Sequence, residues 1–597
     1  MPYNIFRIRN FAGINTALNP TQLDDNESPD MLNMELDDFG AIRKRRGYKR
    51  LYQNSFGAGQ INGMFLYRKI DGTRIFLFAH ANSVYAQIGD DPPFALNDEN
   101  INITDARMHF FTMNDKCYMM NGHEFLVYDG NTLKNVEDDN PYIPTLTLGR
   151  TPTGGGTANE QINLLSAGFK DSFSADGTAT EYQLSLTELD STPVTAEVDN
   201  VAKTEGTDFT VDRTAGKVTF NTAPAQGTNN VIITAYKTHE GFADRIKKCT
   251  ISIAYGGVND SRIFIAGNPE YPNYLWRSEV YDPTYWPENN YVKVGSDAEK
   301  IMNFSMQYDT AIIHKEFSKW NMQYDYNGGS PLFPIKPLND TIGCIAVDSV
   351  QTIENNPVAL TDKGVYIMTN TAVRDERNVT NISKNIEKLL LKEPNLQNAV
   401  SIDYNKKYML CVNNNVYIYD YAHSDNKQRI WYKWDNIPAS CFIEIDGKLC
   451  FGSNTEGIIY VFKEVGETGT FNDDGAAINA YWKSKLLNFG ADEFYKNIYG
   501  VMFSLGTDTR SSADLYYITN VTEIQKAGTM RMDLFDFANI DFANFSFIIS
   551  SLPQEANMHV KTIKTIYFQI MLKNDRVDEN MPILSVGVQY KLTKEVR

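Results

Sequence analysis

The stretch Tyr404-Asn405-Lys406-Lys407-Tyr408-Met409-Leu410-Cys411-Val412-Asn413-Asn414-Asn415-Val416-Tyr417-Ile418-Tyr419 decides the fold class. Two apolar runs flank a turn of three asparagines, and a polar turn precedes the first. Aromatic and β-branched residues fit a pleated surface, and Asn tolerates the backbone of a tight turn, so the stretch reads as consecutive antiparallel strands. The same pattern occurs at Met64–Tyr67, Asp71-Gly72 and Arg74–Phe78. It returns at His109–Thr112, Asn114-Asp115 and Cys117–Met120, and at Asp446-Gly447 before Lys448–Phe451. A third strand follows in Phe125–Tyr128, Gly364–Ile367 and Ile458–Val461.

Outward from this stretch, about seven such units follow one another roughly 40–50 residues apart, a propeller-like period. They fall near 60–90, 105–140, 246–290, 300–335, 340–385, 398–425 and 430–462. The expectation is an all-β chain: an irregular β-propeller of about six to seven blades, with a small inserted β-sandwich and a C-terminal β-sandwich. No Gly-His…Trp-Asp signature marks a WD40 array, and a run of ordinary antiparallel meanders is the plainer alternative.

Five segments follow. Residues 1–55 read as an N-terminal arm, with a short helix over Met31–Leu36 capped by Ser28 or Asp30. Residues 56–150 and 241–465 read as the two parts of the propeller. Between them, 151–240 opens on the flexible Pro152–Thr157 and continues as short Thr-rich strands, a sandwich set into a surface loop. Residues 466–597 read as the last sandwich, with strands at Ala480–Lys485, Ile498–Leu505, Ala513–Ile518, Phe545–Ile549, Lys564–Leu572 and Ile583–Leu592.

Of the 597 residues, 12% are aromatic, including 34 Tyr and 33 Phe, which again leans towards strands. The net charge of −18 argues against a protein that grips nucleic-acid phosphates over its whole surface. It suits solubility, or a lumen along which DNA slides. The 6 cysteines include no Cys-x-x-Cys pair and read as reduced core residues. No apolar run reaches the ~18 residues of a membrane span, and Met1–Asn10 lacks the apolar stretch of a signal peptide. Synthesis in a cytoplasm is the expectation.

Chemistry is sparse. No Walker A, His-Glu-x-x-His or Gly-x-Ser-x-Gly pattern occurs, and the 7 histidines are dispersed. The acidic doublets, such as Asp24-Asp25 and Asp473-Asp474, suit turns better than a glycosidase pair, because neighbours in a strand face opposite ways. Calcium at Asp473–Gly475 or Asp325–Gly328 is a minor alternative. The reading is a non-enzyme with no catalytic residue, cofactor or metal. Two groups stand out instead. Arg43, Lys44, Arg45, Arg46, Lys49 and Arg50 form a basic cluster that suits DNA, an acidic neighbouring subunit, or a charged edge strand kept from aggregating. Trp276, Tyr285, Trp286 and Trp320 suit anchors between blades or between subunits.

The order Ser261–Pro269, Asn273–Glu279, Asp282–Pro287, Tyr291–Gly295, Ala311–Trp320, Ile342–Cys344 and Leu360–Tyr366 resembles the β-propeller nozzle or tail-hub proteins of tailed bacteriophages. The opening Phe11–Asn15, Asn26–Asn33 and Gly40–Tyr48 resembles their start. The resemblance implies a structural virion protein in the tail, commonly a hexameric ring, through which genomic DNA is ejected. Its implied partners are copies of itself, adjacent tail or adaptor proteins, tail fibres and, transiently, phage double-stranded DNA. Asp138–Pro144 and Gly466–Gly475 are the candidate gating loops. The alternative is a peripheral receptor-binding or fibre-anchoring virion protein whose 166–237 sandwich contacts host glycan or fibres.

Overall fold

The computed structural model describes residues 3–97, 101–328, 330–369, 378–425, 428–464, 466–467, 469–506, 510–520, 523–533 and 553–596. The chain is all-β, and helix among the described residues is confined to short segments such as Phe242–Lys247 and Glu387–Leu390. It divides into two units, Met1–Ile61 with Cys344–Arg597, and Asn62–Gly343.

The first unit contains three consecutive four-stranded antiparallel sheets. One runs Gln351–Ile353, Asn356–Thr361, Gly364–Met368 and Val379–Asn381. The next runs Val400–Tyr404, Lys407–Val412, Asn415–Asp420 and Ile430–Trp434. The third runs Ala439–Ile445, Lys448–Ser453 and Ile459–Phe462, and takes its fourth strand from Tyr48–Arg50. The turns explain the hairpins. Asn405-Lys406, Asn413-Asn414 and Asp446-Gly447 each place two successive residues at positive φ, the backbone whose twist matches the flanking strands.

Besides a two-stranded ladder of Asn472–Asp473 with Ala476–Ala477, this unit contains a pair of larger sheets. In one, Met34–Leu36, Ile42–Lys44, Ile583–Glu595, Phe494–Leu505 and Gln554–Thr565 lie in that order, with Asn4–Ile8 also paired to 583–595. In the other, the order is Met31–Leu32, Ala480–Lys483, Gln569–Asn574, Arg510–Ile518 and Gln525–Asp533. The first 50 residues are therefore not a free arm, because they supply strands to three sheets. Met31–Leu36 is two short strands rather than a helix. Asn33 sits between them at φ 53°, which a right-handed helix cannot pass. Met31 pairs with Trp482, and Met34 with Lys44. Ser28 caps nothing; its hydroxyl donates to the carbonyl of Lys483 at 2.8 Å. The expected strand at Phe545–Ile549 lies outside the described residues.

The second unit contains four four-stranded sheets, whose first strands are Ile61–Arg68, His109–Met113, Ile251–Gly257 and Ile301–Gln307. Between the second and third lies the insert. Its six-stranded sheet is ordered Thr157–Ala158, Thr145–Arg150, Gly168–Phe173, Val231–Tyr236, Thr195–Val198, Val201–Thr204. A three-stranded sheet of Glu181–Gln183, Lys217–Phe220 and Phe209–Asp212 accompanies it. Phe169, Phe173, Tyr182, Phe209, Val218 and Ile233 are all buried in a core that belongs to the insert alone.

Candidate functional site: the basic segment 43–50 and its cavity

The six cations of 43–50 meet very different fates. Met34–Leu36 and Ile42–Lys44 form a hairpin, so Arg43 pairs with Glu35 across the strands, and its Nε lies 3.2 Å from the carboxylate. Lys44 and Arg45 turn inward and are fully buried. Lys44 Nζ donates to Asn574 Oδ1 (2.8 Å) and to the Arg576 carbonyl (2.9 Å). Burial first, and the neighbouring Arg45 second, push its ammonium down to about 8.

Arg45 is the centre of a buried network. Its guanidinium meets both oxygens of Asp473, at 2.8 and 2.6 Å, while Nε donates to Asn33 Oδ1 at 2.8 Å. Its Nη2 also donates to the Asp435 carbonyl at 3.0 Å. Asn436 Nδ2 adds a donor to Asp473 at 3.1 Å. A bidentate pair with its remaining donors satisfied is the one arrangement in which such a buried charge is tolerated. Lys49 and Arg50 are exposed and paired with Glu467 (2.5 Å) and Asp474 (2.9 Å). The Asp473-Asp474 doublet thus pairs with two arginines, and no cluster of metal-binding side chains occurs among the described residues.

These positions correct part of the sequence reading. Lys44 and Arg45 are spent inside the chain and present nothing to DNA or to a partner. The 466–475 candidate gate is pinned: Gly47 N donates to the Thr470 carbonyl, Asp474 N to the Tyr48 carbonyl, and Asn472 and Asp473 are buried. The 138–144 candidate is tied down as well, through Lys116–Asp139 (2.5 Å) and the Tyr142 N–H on Thr284.

Arg46 differs from the other five. Half-buried, its side chain makes no hydrogen bond or ion pair among the described residues. It lines a cavity of about 470 Å³ with Tyr404, Lys407, Trp434, Lys448 and Phe462. Met409 and Leu449 supply its buried apolar floor. Glu35 forms part of the wall. Burial alone would raise its carboxyl, but Lys407 at 3.0 Å and Arg43 outweigh that and hold it down at about 2. It is therefore an ionised group neutralised by its own partners. Lys463 is likewise satisfied, by the Gly469 carbonyl (2.6 Å) and by Asn472. The lining combines apolar and aromatic side chains with Arg46, a combination that suits an amphipathic anion. The sequence offers only Arg46 as a local signal here, because the other walls come from five separate segments.

The aromatic anchors act within the second unit. Trp276 and Trp286 are buried with Phe111, Phe125, Leu164 and Leu165. Trp286 accepts the Leu164 N–H on its carbonyl (2.9 Å) and donates its indole N–H to Pro283 (2.8 Å). Tyr285 stacks on Tyr142 with ring centroids 4.7 Å apart and donates to the Gln161 carbonyl (2.9 Å). The three fasten the 161–165 segment to this unit. Trp320 is half-buried and donates to Ser318. The cysteines are free; five are buried, and Cys441 is half-buried. No helix among the described residues is long and apolar enough to cross a membrane.

No family model matches the chain, and no curated protein matches its sequence. Solved structures similar to it include PorZ, a surface component of the type-IX secretion system of Porphyromonas gingivalis. The two share 10% identity and a TM-score of 0.32, over 72% of this chain and 42% of PorZ. The match thus spans less than half of PorZ. An exo-β-1,3-galactanase from Phanerochaete chrysosporium matches at 8% identity and a TM-score of 0.21, over 56% of this chain and 95% of the enzyme.

Proposed function

We propose that the chain is a structural protein of a tailed-bacteriophage virion: a non-enzymatic tail nozzle or hub subunit on an irregular β-propeller of about six to seven blades, assembled into a ring through which DNA leaves. The observation that carries the propeller is the way consecutive sheets meet. In the first unit, the first strands of neighbouring sheets adjoin, with Gln351 Nε2 donating to the Ser401 carbonyl (3.1 Å) and Tyr404 Oη to the Gly447 carbonyl (2.7 Å). In the second, His109 and Ser252 meet at 2.8 Å, and Tyr255 Oη donates to the Asp309 carbonyl at 2.9 Å. Four-stranded meanders packed first strand to first strand are how a propeller is built. The strand Tyr48–Arg50, added to the sheet of 439–462, is the kind of fastening that ties the start of such a chain to its end.

The phage assignment rests on the order of segments 261–366 and on the opening Phe11–Tyr48. The mechanism is mechanical: packed blades form a rigid wall, and the acidic balance keeps DNA from adhering to it. An asymmetric reconstruction of virions carrying a labelled chain tests this reading. Density around the tail axis is the expected result, and density off the axis overturns it.

One observation favours the peripheral alternative. The insert has a core of its own and a depression of about 770 Å³ of mixed lining, Thr151, Pro152, Asp176, Thr178, Ala179 and Gln226 among it. Cell or glycan binding by the insert would support that reading.

A further inference from the structure

The hairpin that carries Glu35 and Arg43 ends in a turn, Asp37-Asp38-Phe39-Gly40, whose phenylalanine is 94% exposed. The turn is rigid. Asp37 Oδ1 accepts the N–H groups of Phe39 (3.0 Å) and Ala41 (2.9 Å), its carbonyl accepts from Gly40 (3.1 Å), and Gly40 takes φ 80°. Asp38 beside it is exposed as well. A phenyl ring held in water on a fixed turn forgoes roughly 1.5–3 kcal/mol of burial. The exposed acidic group beside it is Asp38.

The cavity beside Arg46 has the opposite chemistry. Trp434, Phe462, Met409 and Leu449 offer apolar contact, and Arg46, whose charge also helps hold Glu35 ionised, makes no side-chain hydrogen bond or ion pair among the described residues. Lys448 and Glu464 pair at 3.3 Å on exposed side chains, so they leave no net charge. A volume of about 470 Å³ lies in the range that takes a small ligand, ample for one phenyl ring and a carboxylate. Arginine and aromatic side chains in a desolvated pocket are the usual centres of binding energy.

We propose that the Asp38-Phe39 turn of one copy of this chain seats in the Arg46 cavity of another, with the ring on the apolar floor and the Asp38 carboxylate on the Arg46 guanidinium. The turn cannot fill its own cavity. Glu35, on the cavity wall, precedes Asp37 by two residues in the same hairpin, so bending the tip back would break the pairing of Glu35 with Arg43. Knob and socket are different surfaces, so the contact is heterologous and repeats from copy to copy, closing into a ring where the rotation allows. The inference rests on the proposed self-assembly and names its contact.

The test is the association of the full chain, measured by sedimentation velocity and mass photometry over a concentration series. Phe39→Ala and Arg46→Ala each weaken association at least tenfold, with unchanged circular dichroism and thermal midpoint. Asp38→Arg and Arg46→Asp each fail to assemble alone. Mixed, they recover assembly, because one contact is then wild type and the other has its charges exchanged. Single variants that assemble like the wild type overturn this contact and leave the ring standing, and a mixture that does not recover overturns the contact too. A wild-type chain that stays monomeric at every concentration overturns the contact and the ring together.

Discussion

The molecule carries two sandwiches of similar strand content, and they are built in opposite ways. The insert takes all its strands from one stretch, Thr145–Tyr236, and closes a core shared with nothing else. Its ends are neighbours: Thr145 pairs with Lys170, and Lys170 with Thr234, which puts them about 10 Å apart across two strand spacings. The C-terminal sandwich is incomplete by itself. It needs Asn4–Ile8, Met31–Leu32, Met34–Leu36 and Ile42–Lys44, and its buried residues belong to one core with the sheets of 351–462. A module of local strands can be added to a chain without disturbing it. A module that shares strands across more than 400 residues ties the ends of the chain together.

Four experiments separate the two designs. The largest effect is on autonomy. Residues 144–238 alone should fold cooperatively, with a dispersed NMR spectrum and a thermal transition. Residues 478–597 alone should not fold until a peptide of residues 1–48 is supplied, because a strand edge and part of the core are then missing. Folding of 478–597 without the peptide would erase the contrast.

Next comes the clamp. Replacing Arg45 with Met leaves Asp473 buried and unpaired, which costs about 3–5 kcal/mol in chemical denaturation. Restoring an apolar pair with Asp473→Leu should recover much of it. Third, Phe209→Ala opens a cavity in the insert and should lower the insert's own transition by about 3–5 kcal/mol, leaving the transition of the first unit in place.

The smallest effect is that of Glu35. Its folded carboxyl is depressed to about 2 from an ordinary 4.5. The stability it lends is thus fully present above pH 4.5 and is lost as the pH falls towards 2. Glu35→Gln should cost about 1–3 kcal/mol at neutral pH and flatten the acid limb of the stability curve. An unchanged acid limb would show that Arg43 and Lys407 do not depend on this carboxylate.

Much of the architecture was legible. Polar pairs such as Asn413-Asn414 announce hairpins because few other residues accept two successive positive φ angles. The insert changes period, composition and turns together, yet Thr145–Arg150, read with the segment before it, lies in the insert's sheet, a pairing with Gly168–Phe173 that no local pattern reveals. The N-terminal strands were not. Ser28 and Asp30 before Met31–Leu36 look like helix caps, and nothing local reveals that Trp482 and Lys44 will pair with Met31 and Met34. The basic cluster illustrates the same limit. Six cations in eight residues look alike on paper, yet two are buried, three are paired near the surface and one faces a cavity.

By itself, the sequence determined the strands, the turns and the all-β class, because alternation and positive-φ residues act over a few bonds. Tertiary structure alone decided which charges are spent and which are free. Asp473, 428 residues from Arg45, makes that arginine structural, and the convergence of residues 404–464 around Arg46 makes the next one available. Electrostatic fate depends on which groups meet at 3 Å, and in this chain those groups come from opposite ends.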